Sequence, residues 1–223
     1  MMKSIKPTTL ADQAYQAIKD AITRGEFLEH EVLPEEKMAK RLGISRTPLR
    51  DALNRLASEG LIVQSVGKPA VVAGFNKTSA LETMELRGLL EVNNLEKISP
   101  HIDEIFIAQL RDNVAAQTEA ILTNKYDLFI EIDREFHLLL ASKNSNTAYK
   151  ELIAKVNASV NRSFLILSNT VPQSASEALI EHKEIIDALE QRDVTHAKNK
   201  MIVHMNNVEK RFLTYYTNKE NNI

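Results

Sequence analysis

The chain has 223 residues, with 28 Lys and Arg against 30 Asp and Glu, and contains neither cysteine nor tryptophan. That length accommodates two domains with separate cores, and the missing thiols exclude disulfides, thiolate metal sites and cysteine nucleophiles. The first residues are polar and no stretch is apolar enough for a signal peptide or a membrane span, so a cytoplasmic protein with no membrane partner is expected.

Charge is unevenly divided. Residues 1–76 hold 11 Lys/Arg against 9 Asp/Glu and residues 77–223 hold 17 against 21, which leaves the first part at +2 and the second at −4. Such an asymmetry suits two parts with different tasks.

The first periodic segment, roughly Leu10 to Arg24, puts Leu10, Ala14, Ala17, Ile18, Ala21 and Ile22 on one helical face. The run LPEEKMAKRL, Leu33 to Leu42, reads as a short amphipathic helix with Leu33, Met38, Ala39 and Leu42 on its apolar side. Gly43 supplies the turn that follows, where a positive φ is expected. Ser45 is a suitable N-cap for the next helix, and Pro48 falls in its first turn, where the missing N–H costs nothing. Leu49, Ala52, Leu53 and Leu56 dock this helix, while Arg46, Thr47, Arg50 and Asn54 lie opposite. Two arginines near the start of a helix after a tight turn are what major-groove reading needs. A helical hairpin with a solvated basic face is the alternative at this point. Gly60 ends the helix, and two β-rich runs, Leu61 to Val66 and Ala70 to Phe75, flank Gly67-Lys68-Pro69 as a wing with a basic tip.

The stretch LPEEKMAKRLGISRTPLRDALNRLASEGLI, followed by VGKPAVV, resembles the winged helix-turn-helix of the GntR family of bacterial transcription regulators. The resemblance implies that Lys37 and Arg46 contact phosphates or bases, Thr47 a phosphate and Arg50 a base edge. It places Gly67 at a wing tip that approaches the minor groove, with Lys68 beside it.

A domain boundary is expected near Asn76 to Ser79, giving domains 1–76 and 77–223. Beyond it every periodic segment is helical, at roughly 78–97, 101–122, 126–142, 146–169, 174–190 and 193–216. Asn124, the polar run 142–146, Pro172 and Arg192-Asp193 mark the breaks, and the polar tail from Thr217 is expected to fray. The predicted fold class is mainly α: a winged helix-turn-helix with a small β-wing, then an all-α antiparallel bundle.

Polar residues on the apolar stripes of this bundle are the informative ones. Positions 129, 133, 136 and 140 follow helical spacing, so Asp133 falls in the seam and His137 lies one turn along the same face. His182 shares a stripe with Ala178, Ile185 and Leu189, and His204 shares one with Ala197, Met201 and Val208. His30, His101 and His196 have no such placement. One carboxylate and three imidazoles on inner helical faces can form a first-row transition-metal shell, zinc or nickel being favoured. Satisfied core histidines, with Asp133 bonded to His137, are the alternative from spacing alone.

The body also resembles the helical FCD ligand-binding domain of the FadR subfamily of GntR regulators. DREFH, the EH of SEALIEHKEIIDAL and the final His of RDVTHAKNKMIVH match its metal-binding pattern, which implies Asp133, His137, His182 and His204 as ligands. LRGLLE resembles its first-helix motif and implies that Arg87 reaches the effector cavity, while Arg162 resembles a second cavity-facing position. An i,i+4 ion pair with Glu91 is the competing reading of Arg87. The subfamily's fatty-acyl-responsive branch lacks these metal ligands, so a small organic acid, rather than a long-chain acyl-CoA, is the implied effector.

Together these readings predict a homodimeric repressor that binds a palindromic operator and senses a carboxylate metabolite at a divalent metal. A regulator answering to the metal itself is the second reading. A metal-dependent hydrolase is a distant third, because no second acid or base stands near the site and the winged head would have no role.

Overall fold

The computed structural model describes residues 8–23, 26–28, 30–74, 77–166 and 171–220. The chain divides into two compact units, Met1–Phe75 and Asn76–Ile223.

The first unit runs α1 (Leu10–Thr23), β1 (Val32–Leu33), α2 (Glu35–Leu42), α3 (Arg46–Ser58), β2 (Ile62–Val63) and β3 (Ala70–Val72). Two helix stops rest on glycine. Gly43 (φ 66°) lets Ile44 N–H donate to the Ala39 carbonyl at 3.1 Å and its own N–H to that of Lys40 at 3.3 Å. Gly60 (φ 72°) does the same after α3, with Leu61 N–H on the Leu56 carbonyl at 2.9 Å. Leu49, Ala52, Leu53 and Leu56 of α3 are completely buried, and Ile18, Leu33 and Leu61 nearly so. Each large side chain so buried contributes roughly 1.5–3 kcal/mol.

Leu33 departs from expectation. It belongs to a strand and not to the helix that follows, because Pro34 disfavours the α region for the residue before it. β1 pairs antiparallel with β3 (Val32 with Val71, Leu33 with Ala70), and β2 lies on the other side of β3 (Ile62 with Val72, Val63 with Val71). The wing is therefore three-stranded, and its strands are shorter than the apolar runs suggest. Ser45 occupies the N-cap position of α3 in an extended conformation but makes no side-chain capping bond. Phe75 and Asn76, at the expected boundary, lie outside the described residues.

The second unit is helical: α4 (Lys77–Ile98), a 3-10 turn (Ser99–His101), α5 (Glu104–Leu122), α6 (Tyr126–Ser142), α7 (Thr147–Ile166), α8 (Val171–Glu190) and α9 (Val194–Glu220). α5 starts later than its apolar pattern suggests, because Pro100 sits in the 3-10 turn and Asp103 caps the helix through Phe106 N–H at 2.7 Å. Asn124 (φ 55°) and Arg192 (φ 57°) take the left-handed conformation at the breaks after α5 and α8. Pro172 lies within the first turn of α8, where proline is tolerated, so the break it marks falls just before it and the helix starts at Val171. α9 continues to Glu220, three residues past the onset of the polar tail.

The helices close a ring in which α4 packs on α9, α9 on α8, α8 on α5, α5 on α6, α6 on α7 and α7 on α4. Leu95, Ile98, Phe106, Leu110, Phe136, Ile185, Ile186 and Met201 fill one end of its interior. A polar layer is buried as well, and all six helices contribute to it. Arg87 and Glu91 come from α4, Gln117 from α5, His137 from α6, Asn157 from α7, His182 from α8 and His204 from α9.

Candidate metal centre and nucleic-acid interface

Three imidazoles meet inside the helical ring. The ring centroids of His137 and His182 are 5.3 Å apart, those of His137 and His204 5.3 Å, and those of His182 and His204 4.7 Å. Offering one nitrogen each, the three side chains bring their donor atoms within 4.8 Å of one another. Asp133 joins them from one turn before His137, its carboxylate oxygens lying 3.6 Å from His182 Nε2 and 4.0 Å from His137 Nε2. Those separations are too long for hydrogen bonds, so Asp133 and His137 do not satisfy each other. They approach the ~3.3 Å spacing of two ligands that share one tetrahedral ion at 2.0–2.1 Å.

Each ring is held by its other nitrogen. His137 Nδ1 bonds Glu91 Oε2, whose Oε1 accepts from Arg87 Nε at 2.7 Å and from Asn157 Nδ2 at 2.8 Å. His204 Nδ1 meets Glu181 Oε2 at 2.6 Å, and Glu181 also accepts from Asn207 at 2.8 Å and from both terminal nitrogens of Arg211. His182 Nδ1 meets Gln117 Oε1 at 3.0 Å. Carboxylates only accept, so His137 and His204 carry their proton on Nδ1. The Nε2 atoms of all three histidines are buried and have no hydrogen-bond partner among the described residues. A buried polar atom left unpaired costs roughly 1–3 kcal/mol. Three such lone pairs facing one another are a poor hydrophobic core and a suitable donor set for a divalent ion.

The electrostatics agree with this arrangement. Burial lowers the pKa of His137 and His204, and that of His182 falls well below the ordinary imidazole value. Burial works against ionisation of Glu91, but His137 and Arg87 outweigh it and hold the carboxyl far below its usual range. Glu181 is likewise held at about 2 against its burial by His204 and Arg211. Asp133 is pushed upward by burial, with Arg87 and His204 partly offsetting the rise.

Arg87 makes the ion pair that was the competing reading of it. Its Nε pairs with Glu91 in a buried i,i+4 bridge, while one terminal nitrogen is buried without a partner among the described residues. Arg162 lies on α7, and its side chain is outside the described residues. His30, His101 and His196 are exposed. Glu91, so far only an ion-pair partner for Arg87, also orients a candidate ligand. Gln117 and Glu181 were not singled out. Gln117 continues the stripe Leu110–Val114–Gln117–Ile121 and was open to the test that found the histidines; Glu181 is the Glu of the EH pair in the matched pattern, which gave a role to His182 alone.

In the first unit, Lys37, Arg46, Thr47 and Arg50 are exposed on α2 and the start of α3, and Gly67 (φ 73°) and Lys68 are exposed at the wing tip. A cleft of about 650 Å³ separates α3 from the wing, and Arg46, Arg50, Gln64, Gly67 and Lys68 line it.

Residues 82–207 match the FCD domain, and residues 10–72 match the family described as bacterial regulatory proteins, gntR family. The chain belongs to the GntR family. This GntR regulator is 27% identical over 202 residues to the HTH-type transcriptional regulator YdhC of Bacillus subtilis, covering 90% of each chain. It is 28% identical over 206 residues to the fatty acid metabolism regulator protein of Proteus mirabilis, covering 86% of each. Its fold is that of E. coli McbR/YncC, with a TM-score of 0.70 at 19% identity over 94% of this chain and 100% of that one. A GntR regulator from Rhodococcus sp. RHA1 also superposes with a TM-score of 0.70, at 20% identity over 92% and 97% of the two chains. The family and the relatives from Bacillus subtilis and Proteus mirabilis are named as regulators, not enzymes, and the hydrolase reading is set aside on that ground. No helix among the described residues is long and apolar enough to cross a membrane.

Proposed function

We propose that this GntR regulator is a homodimeric repressor whose helical domain senses a small carboxylate metabolite at a divalent transition metal held by Asp133, His137, His182 and His204. The observation that carries this reading is the set of three buried, unpaired Nε2 atoms, each on a ring whose Nδ1 is tied to the protein. When bound, the ion would act as a Lewis acid toward carboxylate oxygen. The chain's own part is to keep the imidazoles oriented, and to offer the buried guanidinium of Arg87 to the metabolite's charge. The winged domains would read successive half-sites of a palindrome, with Lys37, Arg46, Thr47, Gly67 and Lys68 on the backbone or groove and Arg50 on a base edge. Occupancy would alter whether both heads of the dimer engage together, releasing the operator.

One observation favours the alternative in which the metal is itself the signal. Four protein donors complete a tetrahedral zinc shell and leave no position for an effector, whereas a six-coordinate ion such as nickel leaves two. The two readings separate in a DNA-binding titration on a duplex selected by the full-length protein from a random library. Metal-loaded protein that releases DNA only on addition of small di- or tricarboxylates supports the metabolite sensor. Release on metal addition alone supports the metal sensor, and indifference to both contradicts the sensing role.

A further inference from the structure

Arg46 and Arg50 stand one turn apart at the start of α3, and acidic neighbours on α2 hold them differently. Glu35 takes Arg50 Nε with both carboxylate oxygens, at 3.1 and 2.9 Å. Glu36 lies 3.5 Å from a terminal nitrogen of Arg46, and both of those side chains are largely exposed, at 86% and 60%. Glu35 is the more enclosed acid, with 30% of its side chain exposed. The difference is chemical as well as geometric. A guanine edge is read by two parallel N–H donors of one guanidinium, for which the pair of terminal nitrogens serves. Glu36 covers a donor of that kind on Arg46. Glu35 instead anchors Arg50 through Nε, and its carboxylate bonds neither terminal nitrogen; Arg50, Glu35 and Glu36 all line the cleft between α3 and the wing.

We propose that Glu35 is a positioning residue for sequence reading. It fixes a long, flexible arginine by Nε–H, which reading a guanine end-on through the terminal pair leaves free, so that Arg50 meets DNA already oriented toward a guanine. Discrimination improves because less side-chain freedom is lost on the correct base, while the negative charge of Glu35 near the phosphates restrains binding to any sequence. This rests on the reading of Arg50 as a base-contacting residue. Two simpler roles for Glu35 compete with it: stabilising the positive end of α2, at whose first position it sits, or blocking Arg50 from DNA altogether.

The test uses the full-length protein with Glu35→Gln, Glu35→Ala, Glu36→Ala and Arg50→Ala variants. Affinity is measured on the best duplex selected by the wild type from a random library and on a scrambled duplex of the same composition, at one salt concentration. Positioning predicts that the ratio of the two affinities falls by roughly three- to tenfold in Glu35→Ala and by less in Glu35→Gln, whose amide oxygen still accepts from Nε. It also predicts that reselection with Glu35→Ala relaxes the same base step that Arg50→Ala relaxes, while Glu36→Ala relaxes none. Equal tightening on both duplexes in the two Glu35 variants would make it a brake only and overturn the proposal. A lowered melting temperature with an unchanged ratio would reduce it to a helix-start residue and overturn it too. If Arg50→Ala weakens both duplexes equally, base reading by Arg50 fails separately, and the role of Glu35 falls with it.

Discussion

Gln117 fixes which nitrogen of His182 is left for a ligand. Its Oε1 accepts from His182 Nδ1 at 3.0 Å, while its amide nitrogen donates to Asn113 Oδ1 at 2.8 Å, and Asn113 Nδ2 donates to the Ile132 carbonyl at 3.1 Å. A main-chain carbonyl can only accept, so the direction of every bond in this relay follows from its last member. The relay ends on α6, the helix that also carries Asp133 and His137. One candidate ligand is thus oriented by the backbone of the helix that supplies two others.

Replacing Gln117 with leucine removes the acceptor and leaves the fold's volume nearly unchanged. His182 could then place its proton on either nitrogen. Metal affinity is expected to fall about 10- to 100-fold, the usual consequence of losing such an outer partner. Competition with a chromophoric chelator measures it, and an unchanged affinity would show that the relay does not orient the ligand.

Arg87→Leu strands Glu91 in the bundle with His137 and Asn157 as its remaining partners. Breaking a buried pair from one side typically costs about 3–5 kcal/mol, so a loss near the lower end is expected in urea unfolding. Loss of effector response with no loss of stability would instead show that the Arg87–Glu91 bridge contributes little to folding.

Arg50→Ala should weaken binding to the selected operator by about 1–3 kcal/mol and binding to random DNA by less. Anisotropy titrations on both duplexes give the comparison. Equal losses would reassign Arg50 to the phosphate backbone.

Tyr15 offers a pH signature confined to the winged domain. Burial, and then the hydrogen bond to Glu59 at 2.6 Å, push its phenol from 10.0 up to about 12 despite the opposing influence of Lys19. Its folded pKa lies above the unfolded one, so the stabilisation is complete below pH 10 and is lost as pH rises toward 12. Tyr15→Phe should flatten the decline in stability that the wild type shows across that window, as read by melting curves from pH 9 to about 12. Parallel declines in the two proteins would contradict this.

Much of the fold was legible because local signals and tertiary needs coincide. Gly43, Gly60, Asn124 and Arg192 all take the left-handed conformation where the apolar periodicity stops. β1 was not legible: Leu33 fits the apolar side of α2 equally well, and a two-residue strand has no periodicity of its own. The site shows the same division. Asp133, His137, His182 and His204 stand out as polar interruptions of apolar stripes, and the structure brings them together. Asn113 and Asn157 act across helices, and a partnership between residues on two helices leaves no trace in the spacing of either one.

The most direct measurement is the metal content of untagged protein purified without chelator, beside an Asp133→Ala, His204→Ala double variant. About one zinc, nickel or similar ion per chain in the wild type, lost in the variant, is the predicted result. No ion in either protein, even after reloading with zinc or nickel, would contradict the metal centre and leave the three Nε2 atoms to an organic ligand.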